Sequence, residues 1–331
     1  MEIPIKQRNA LLKIKRALKD PSNKSFFIAG HLNPDGDTVG GTLALYSLLL
    51  RLKKKAVFPY NRHSVPAIYR FLNNSGKIIT ADRVEGNFDV AIIIDCADPA
   101  RTGGIIDVSK QARTVIKIDH HADDRRWAGI NFAGPEYSSV TEMIFYVFRE
   151  MGVRPTREEA ECLYTGIVTD TRNFVQPNTT PRSHYVAAGL LGLGADPVKV
   201  EKNVYGTKPV SALLLLGKTL ENIKVSGSGE IAYSVITKGI FKKTGAAYED
   251  AESIINYVGM VPGVLVWVLF KEIPGEKGLK AGFRSVERID VNRFAKLFGG
   301  GGHKNAAGCT LNMPLDEAVK KVLGSLNKYL K

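Results

Sequence analysis

The chain has 331 residues, 44% of them hydrophobic and 24% charged, with a formal net charge of +13. Three widely spaced cysteines, Cys96, Cys162 and Cys309, suggest neither a disulfide framework nor a thiolate zinc site and read as small buried residues, and a chain of this length can bury the cores of two domains without such staples. Apolar runs at 213–216 and 264–270 are too short to cross a bilayer, and the first six residues lack the apolar core of a secretion signal, which points to the cytoplasm.

Residues 6–19 read as an amphipathic helix, with Leu11, Leu12, Ile14 and Leu18 at helical spacing. Residues 25–29 read as a buried strand, 31–37 as a polar loop and 43–52 as a helix. Arg51, Lys53, Lys54 and Lys55, with the C-terminal lysines, carry part of the basic excess, which suits a polyanionic partner and solvated basic faces equally. Residues 90–94 and 114–118 are apolar, β-branched strand candidates, and helices are predicted at 140–151, 157–168 and 183–193. Strands alternating with helices of this length predict an α/β fold with a doubly wound, mainly parallel sheet.

The pattern changes after about residue 195. A helix over 208–222 precedes strands at 231–237, 264–271 and 279–284, the last two joined by a turn-forming segment at 273–278. Helices near 291–298 and 315–330 flank a glycine run. These elements predict a second, smaller α/β domain with a mixed sheet. The expected division is 1–190 for the first domain, 191–215 for a helical linker and 216–331 for the second.

The loop His31-Leu32-Asn33-Pro34-Asp35-Gly36-Asp37 places an imidazole and two carboxylates at the carboxyl end of a predicted parallel strand, where ligand sites of open α/β sheets fall. Taken alone, it is equally a polar turn in which Asp37 caps the next helix. Ile92-Ile93-Ile94-Asp95 is a second strand ending on a carboxylate, and Val115-Ile116-Lys117-Ile118-Asp119-His120-His121 a third, ending on one carboxylate and two histidines. A predicted helix closes on Thr169-Asp170. Parallel strands bring their carboxyl ends to one edge, so these groups crowd together, and bound metal is the ordinary relief for clustered anions. A set of two histidines and four aspartates suits hard or borderline divalent ions, with Mn²⁺ and Mg²⁺ the natural candidates. Two such ions polarise a phosphoryl oxygen, generate hydroxide and hold attacking and leaving oxygens in line, so the pattern predicts phosphoester hydrolysis.

Together these motifs resemble the DHH phosphoesterase superfamily, named for the signature that stands here as Asp119-His120-His121. The resemblance implies that His31 and Asp35 bind one metal and Asp37 and His120 the other, with Asp95 bridging and Asp170 completing the second site. It implies catalytic roles for Asp95, His121 and Asp119: His121 sits over the substrate phosphate rather than on a metal, and Asp119 supports the histidines. Ser138-Ser139-Val140-Thr141-Glu142 resembles the segment that opens the following helix in relatives. Arg172 stands where relatives often carry glycine, and a cation there either meets substrate phosphate or points to solvent.

Gly299-Gly300-Gly301-Gly302-His303 has the composition of a flexible linker, but ordered flanks on both sides predict a loop whose backbone approaches something closely. Its N–H groups can cradle a phosphate, with His303 a further donor. With Ala306-Ala307-Gly308 it resembles the DHH-associated C-terminal domain, in which the arginine of Phe283-Arg284-Ser285 also contacts substrate. The implied substrate-binding set is Arg284, Ser285, Gly301, Gly302 and His303.

The resemblance covers roughly residues 10 to 330. With no further module, the layout looks like the stand-alone nano-RNase and pAp phosphatase branch. That implies two Mn²⁺ ions (Mg²⁺ as the alternative), with short RNA oligonucleotides and 3′-phosphoadenosine 5′-phosphate as substrates. It also implies no membrane partner, and a homodimer is the assembly the family suggests. A phosphodiesterase for cyclic dinucleotides or their linear products shares the metal site and is the second enzyme reading. Inorganic pyrophosphatase is a further relative whose C-terminal domain lacks the Gly-rich His loop. A non-catalytic nucleotide or nucleic-acid binder would carry a degraded ligand set, whereas every ligand position here is filled.

Overall fold

Phe26 and Ile28 point to one face of the first strand, Phe27 and Ala29 to the other, and all four are fully buried. A strand covered on both faces belongs to the middle of a parallel sheet, and that is where the computed structural model places it. The structure describes residues 5–121, 125–251, 253–275 and 278–330. The chain divides into two compact units, Met1–Thr207 and Lys208–Lys331.

In the first unit, β1 (Ser25–Ala29), β2 (Ala56–Asn61), β3 (Ile79–Thr80), β4 (Phe88–Ile94), β5 (Ala112–Asp119) and β6 (Ile130–Ala133) form one sheet in the order β3-β2-β1-β4-β5-β6. Every neighbouring pair is parallel. The order runs outward in both directions from β1, so the topological switch point lies between β1 and β4. One face carries α1 (Ile5–Lys19), α2 (Gly36–Arg51), α4 (Val140–Met151), α5 (Arg157–Asp170), α6 (Pro181–Gly192) and α7 (Pro197–Val204), which share a core with Phe26, Ile28, Ile92 and Ile116. The other face is covered by loops and by α3 (Val108–Gln111), around Phe27, Phe88 and Ile93.

One local expectation is corrected. The second helix begins at Gly36, seven residues before the predicted 43–52 segment, and its N-cap is Asp35, whose side chain accepts from the Thr38 amide at 2.9 Å. Asp37 therefore lies inside the first helical turn rather than capping it. Pro34 and Gly36 read as breakers in the sequence, yet a proline before the cap and a glycine at the first helical position leave the later turns intact.

The second unit opens with α8 (Val210–Glu221). Its strands β7 (Lys224–Val225), β8 (Ile231–Ile236), β9 (Val266–Glu272), β10 (Leu279–Ser285), β11 (Gly301–His303) and β12 (Ala306–Leu311) form a sheet in the order β11-β12-β10-β9-β8-β7. The β8–β9 pair is parallel and the others are antiparallel, a mixed sheet. α9 (Lys238–Thr244) and α10 (Ile255–Val258) share cores with Leu269, while α11 (Val291–Lys296) and α12 (Leu315–Tyr329) pack with Val268, Phe270 and Phe283. The glycine run is not a loop throughout: Gly301–His303 is an edge strand on β12. A Cβ on Gly300 would lie 2.2 Å from the Gly308 carbonyl oxygen, so the close approach expected of this run is to the chain's own backbone. Cys96, Cys162 and Cys309 are all free and buried. Among the described residues, no helix is long and apolar enough to cross a membrane.

Candidate metal centre

The carboxyl ends of β1, β4 and β5 deliver His31, Asp95 and the Asp119-His120-His121 run to one edge of the first sheet, beside the switch point. Asp95 adopts φ +55°, a left-handed conformation that costs a non-glycine residue about 1–2 kcal/mol. Its amide is held by the Ile118 carbonyl at 2.9 Å, and its side chain turns into the cluster. Asp95 Oδ2 lies 3.2 Å from His31 Nε2 and accepts from the Thr38 hydroxyl at 3.0 Å. Its other oxygen lies 3.6 Å from His120 Nε2 and 3.6 Å from His121 Nδ1, and is buried with no hydrogen bond from any described residue.

Asp35 and Asp37 leave the start of α2 toward different partners. Asp35 Oδ2 is 3.6 Å from His31 Nε2. Fully buried Asp37 meets the N-terminus of α4, accepting from the Val140 amide at 2.6 Å and from the Thr141 amide and hydroxyl at 2.8 and 2.7 Å. Close approach of α5 makes room for this: a Cβ on Gly166 would lie 2.3 Å from Thr141 Oγ1 and 2.7 Å from Asp37 Oδ1. The same helix ends on Asp170, whose Oδ2 is 3.3 Å from His120 Nε2. His31, Asp35 and Asp95 thus form one group, and Asp37, His120 and Asp170 another, the candidate donor atoms of each within 4.8 Å of one another.

The electrostatics are those of a site built for cations. Burial and the neighbouring Asp95 push Asp37 up to about 7, and burial with the Asp37 charge pushes Asp170 up to about 8. Burial opposes charge on His31, but hydrogen bonds to Asp35 and Asp95 win and raise it to about 10; His120 is likewise raised to about 10 by Asp95 and Asp170. Burial would also raise Asp95, yet His120 and His31 hold it well below the usual carboxylate range. Protons are here doing what divalent ions do better. The bare Asp95 oxygen, the nitrogen and oxygen donor set and the crowding of four carboxylates all fit two such ions.

His121 Nδ1 lies 2.7 Å from Asp119 Oδ1 and 3.6 Å from Asp95 Oδ1, so Asp95, His120 and His121 make a third group of candidate donors, while its Nε2 lies 3.4 Å from Arg101 Nη1. Thr38, Arg101, Thr141 and Asn178, which donates to the Ser138 and Asp170 carbonyls, join the site without having been singled out for these roles in the sequence. Arg101 left a faint signal, as a cation in the turn-rich Pro99-Ala100-Arg101-Thr102-Gly103-Gly104 that follows Asp95. Arg172 also sits at the end of α5, exposed, with φ +46°, the region that favours glycine.

In the second unit, Arg284 and His303 both pair with Ala306, from opposite sides of β12, so all three point to the same face of that sheet. Gly301 and Gly302 pair with Gly308 and Ala307. The Ser285 hydroxyl donates to the Ile289 carbonyl at 2.8 Å and accepts from the Asn305 amide at 3.1 Å, an internal brace.

Residues 25–167 match the DHH family, N-terminal domain, and residues 228–331 match the DHHA1 domain. Over 321 residues the chain is 32% identical to the bifunctional oligoribonuclease and PAP phosphatase NrnA of Thermus thermophilus, covering 96% of this chain and 93% of that protein. The chain belongs to the DHH family of phosphoesterases. It is also 27% identical to the NrnA of Bacillus subtilis, over 91% of this chain and 93% of that one. The crystal structure of an exopolyphosphatase-related protein from Bacteroides fragilis matches it with a TM-score of 0.87 at 28% identity, over 97% of this chain and 96% of that one. As a DHH phosphoesterase the chain is a metal-dependent hydrolase, and these clustered histidines and aspartates are groups that could hold metal ions.

Proposed function

We propose that the chain is a two-metal phosphoesterase that cleaves short oligoribonucleotides to mononucleotides and converts 3′-phosphoadenosine 5′-phosphate to AMP. The observation that carries the metal assignment is the meeting of two donor groups at Asp95. On this reading His31 and Asp35 hold one ion, Asp37, His120 and Asp170 hold the other, and Asp95 bridges. The substrate class is supported by similarity to the Thermus thermophilus and Bacillus subtilis proteins over nearly their whole lengths. Mn²⁺ is the proposed metal and Mg²⁺ the alternative, because the donors are imidazole and carboxylate with no thiolate.

Bound divalent ions would polarise the phosphoryl oxygens and lower the pKa of the attacking water. The chain's own residues do the rest. Asp119 accepts from His121 Nδ1 and orients the ring, so that Nε2 meets the Arg101 guanidinium, whose other N–H groups are the proposed donors to a phosphate oxygen. The helix N-terminus at Val140 and Thr141 holds the Asp37 carboxylate in place, so the donor atoms are set before substrate arrives. In the second unit, the shared face of Arg284 and His303, beside the Gly301 and Gly302 backbone, is a proposed phosphate-binding surface, with Ser285 bracing the turn that follows β10.

Purified protein with Mn²⁺ is expected to convert pApA to mononucleotides and pAp to AMP, and Asp95→Ala to abolish both. Cleavage of cyclic di-AMP with no action on pApA would move the assignment to the cyclic-dinucleotide reading.

A further inference from the structure

Val115-Ile116-Lys117-Ile118 places one cation in the middle of an apolar strand, and Lys117 is fully buried. A buried ammonium needs oxygens around it, as hydrogen-bond acceptors or as a counter-charge. Lys117 Nζ finds three: Asp119 Oδ2 at 3.1 Å, the Arg125 carbonyl at 3.1 Å and the Ala97 carbonyl at 3.4 Å. Strand alternation explains the first, since residues 117 and 119 point to the same face of β5. The other two lie in the segments that follow β5 and β4, so one ammonium ties together both loops that carry the reaction's polar groups.

Asp119 is fully buried and divides its two oxygens between two partners. Oδ1 faces His121 Nδ1 at 2.7 Å, while Oδ2 faces Lys117 and accepts no hydrogen bond from a described residue. At the far end, His121 Nε2 faces Arg101 Nη1 at 3.4 Å. A guanidinium only donates, so Nε2 carries the lone pair and Nδ1 the proton.

We propose that Lys117 is a positioning residue for phosphoester hydrolysis: by holding Asp119 Oδ2 it fixes the carboxylate that keeps His121 in its Nδ1–H tautomer, with the Nε2 lone pair accepting from Arg101 and so aiming that guanidinium's other N–H groups at the substrate phosphate. A neutral side chain of equal size would fill the space and leave Asp119 Oδ2 buried without its counter-charge. The carboxylate would then rotate to find one, and Nδ1 would lose its acceptor. The inference rests on the proposed placement of His121 and Arg101 at the phosphate, but the arrangement of Lys117, Asp119 and His121 is measurable without substrate or metal.

The test is a long-range ¹H–¹⁵N spectrum of the histidine rings in metal-free protein at about pH 8, with His121 assigned by its loss in His121→Gln, together with kinetics on pApA. Wild type is expected to show the Nδ1–H tautomer at His121, and Lys117→Met to lose it. With Mn²⁺, Lys117→Met is expected to lower kcat about 10–100-fold while KM stays within about threefold. The double variant Lys117→Met, Asp119→Asn should be no slower than Asp119→Asn alone. An Nε2–H tautomer in wild type, an unchanged His121 spectrum in Lys117→Met, or losses that multiply in the double variant would each overturn the proposal. If Lys117→Met does not fold, Lys117→Leu serves in its place, and the wild-type spectrum stands by itself. A protein that shows the expected spectra but leaves pApA intact would count against the substrate assignment and not against the Lys117 arrangement.

Discussion

Asp37 and Thr141 are joined twice, 104 positions apart in the chain: one aspartate oxygen accepts from both the amide and the hydroxyl of the threonine, at 2.8 and 2.7 Å. The first turn of α2 and the first turn of α4 are thereby locked together inside the cluster of donors. Removing the hydroxyl in Thr141→Ala leaves the amide bond in place and should cost about 1–2 kcal/mol of stability. The larger effect is on the metal site, where losing such a brace lowers affinity by about 10–100-fold. Calorimetric titration with Mn²⁺ checks this, and wild-type affinity in the variant would show that Asp37 needs no such brace.

Gly166 is the residue whose lack of a side chain makes that junction possible. In Gly166→Ala the new methyl group would fall within 2.7 Å of Asp37 Oδ1 and closer still to Thr141 Oγ1. Overpacking of this kind costs about 1–3 kcal/mol, and here the strain lands on a proposed metal donor. Phosphodiesterase activity should drop about a hundredfold, more than the fall in folded fraction explains. Full activity with a lowered melting temperature would show that α5 moves aside without disturbing the site.

The raised pKa values set the pH response of the metal-free protein. Asp37 at about 7 and Asp170 at about 8 lie above their unfolded values, as do His31 and His120 at about 10. A folded pKa above the unfolded one means that the folded state holds more protons in the window between them. Stability is then lost as pH rises through that window, from about 4 to 8 for the aspartates and from about 6.5 to 10 for the histidines. Metal binding displaces these protons, so affinity rises with pH over the same range. Melting curves with Mn²⁺ and with EDTA should therefore diverge more at about pH 8 than at about pH 6. Equal metal-induced shifts at the two pH values would contradict this proton inventory.

Arg172, Asn173 and Phe174 take φ of +46°, +59° and +64° in succession, directly after α5. Three adjacent non-glycine residues in this region hold strain of about 1–2 kcal/mol each. A glycine at the first of these positions would adopt the same φ without that strain. Arg172→Gly should raise stability by about 0.5–1 kcal/mol, read as a higher urea midpoint. A lowered midpoint would mean that the exposed guanidinium contributes more than the backbone strain removes.

Much of the site was legible because it obeys one rule. Polar residues at the ends of three apolar runs, His31, Asp95 and Asp119-His120-His121, had to share an edge once the strands were parallel. The start of α2 was not legible, since Pro34 and Gly36 carry the composition of a turn and only the Asp35 cap shows that the helix begins there. Strand β11 was missed for a different reason: three residues, two of them glycine, have no side-chain alternation to read. The link between Asp37 and Thr141 depends on how two helices pack, which a single sequence does not encode locally. Lys117 did leave a signal, a charge inside a buried strand, but its meaning came only with the Asp119 contact.

The claim on which the rest depends is that Asp95 belongs to two metal sites at once. Counting bound Mn²⁺ by calorimetric titration in wild type and in Asp95→Asn tests it most directly, with a melting curve to confirm that the variant folds. The account predicts two ions per chain in wild type and severe weakening of both in the variant. Two ions bound with wild-type affinity in Asp95→Asn would contradict it.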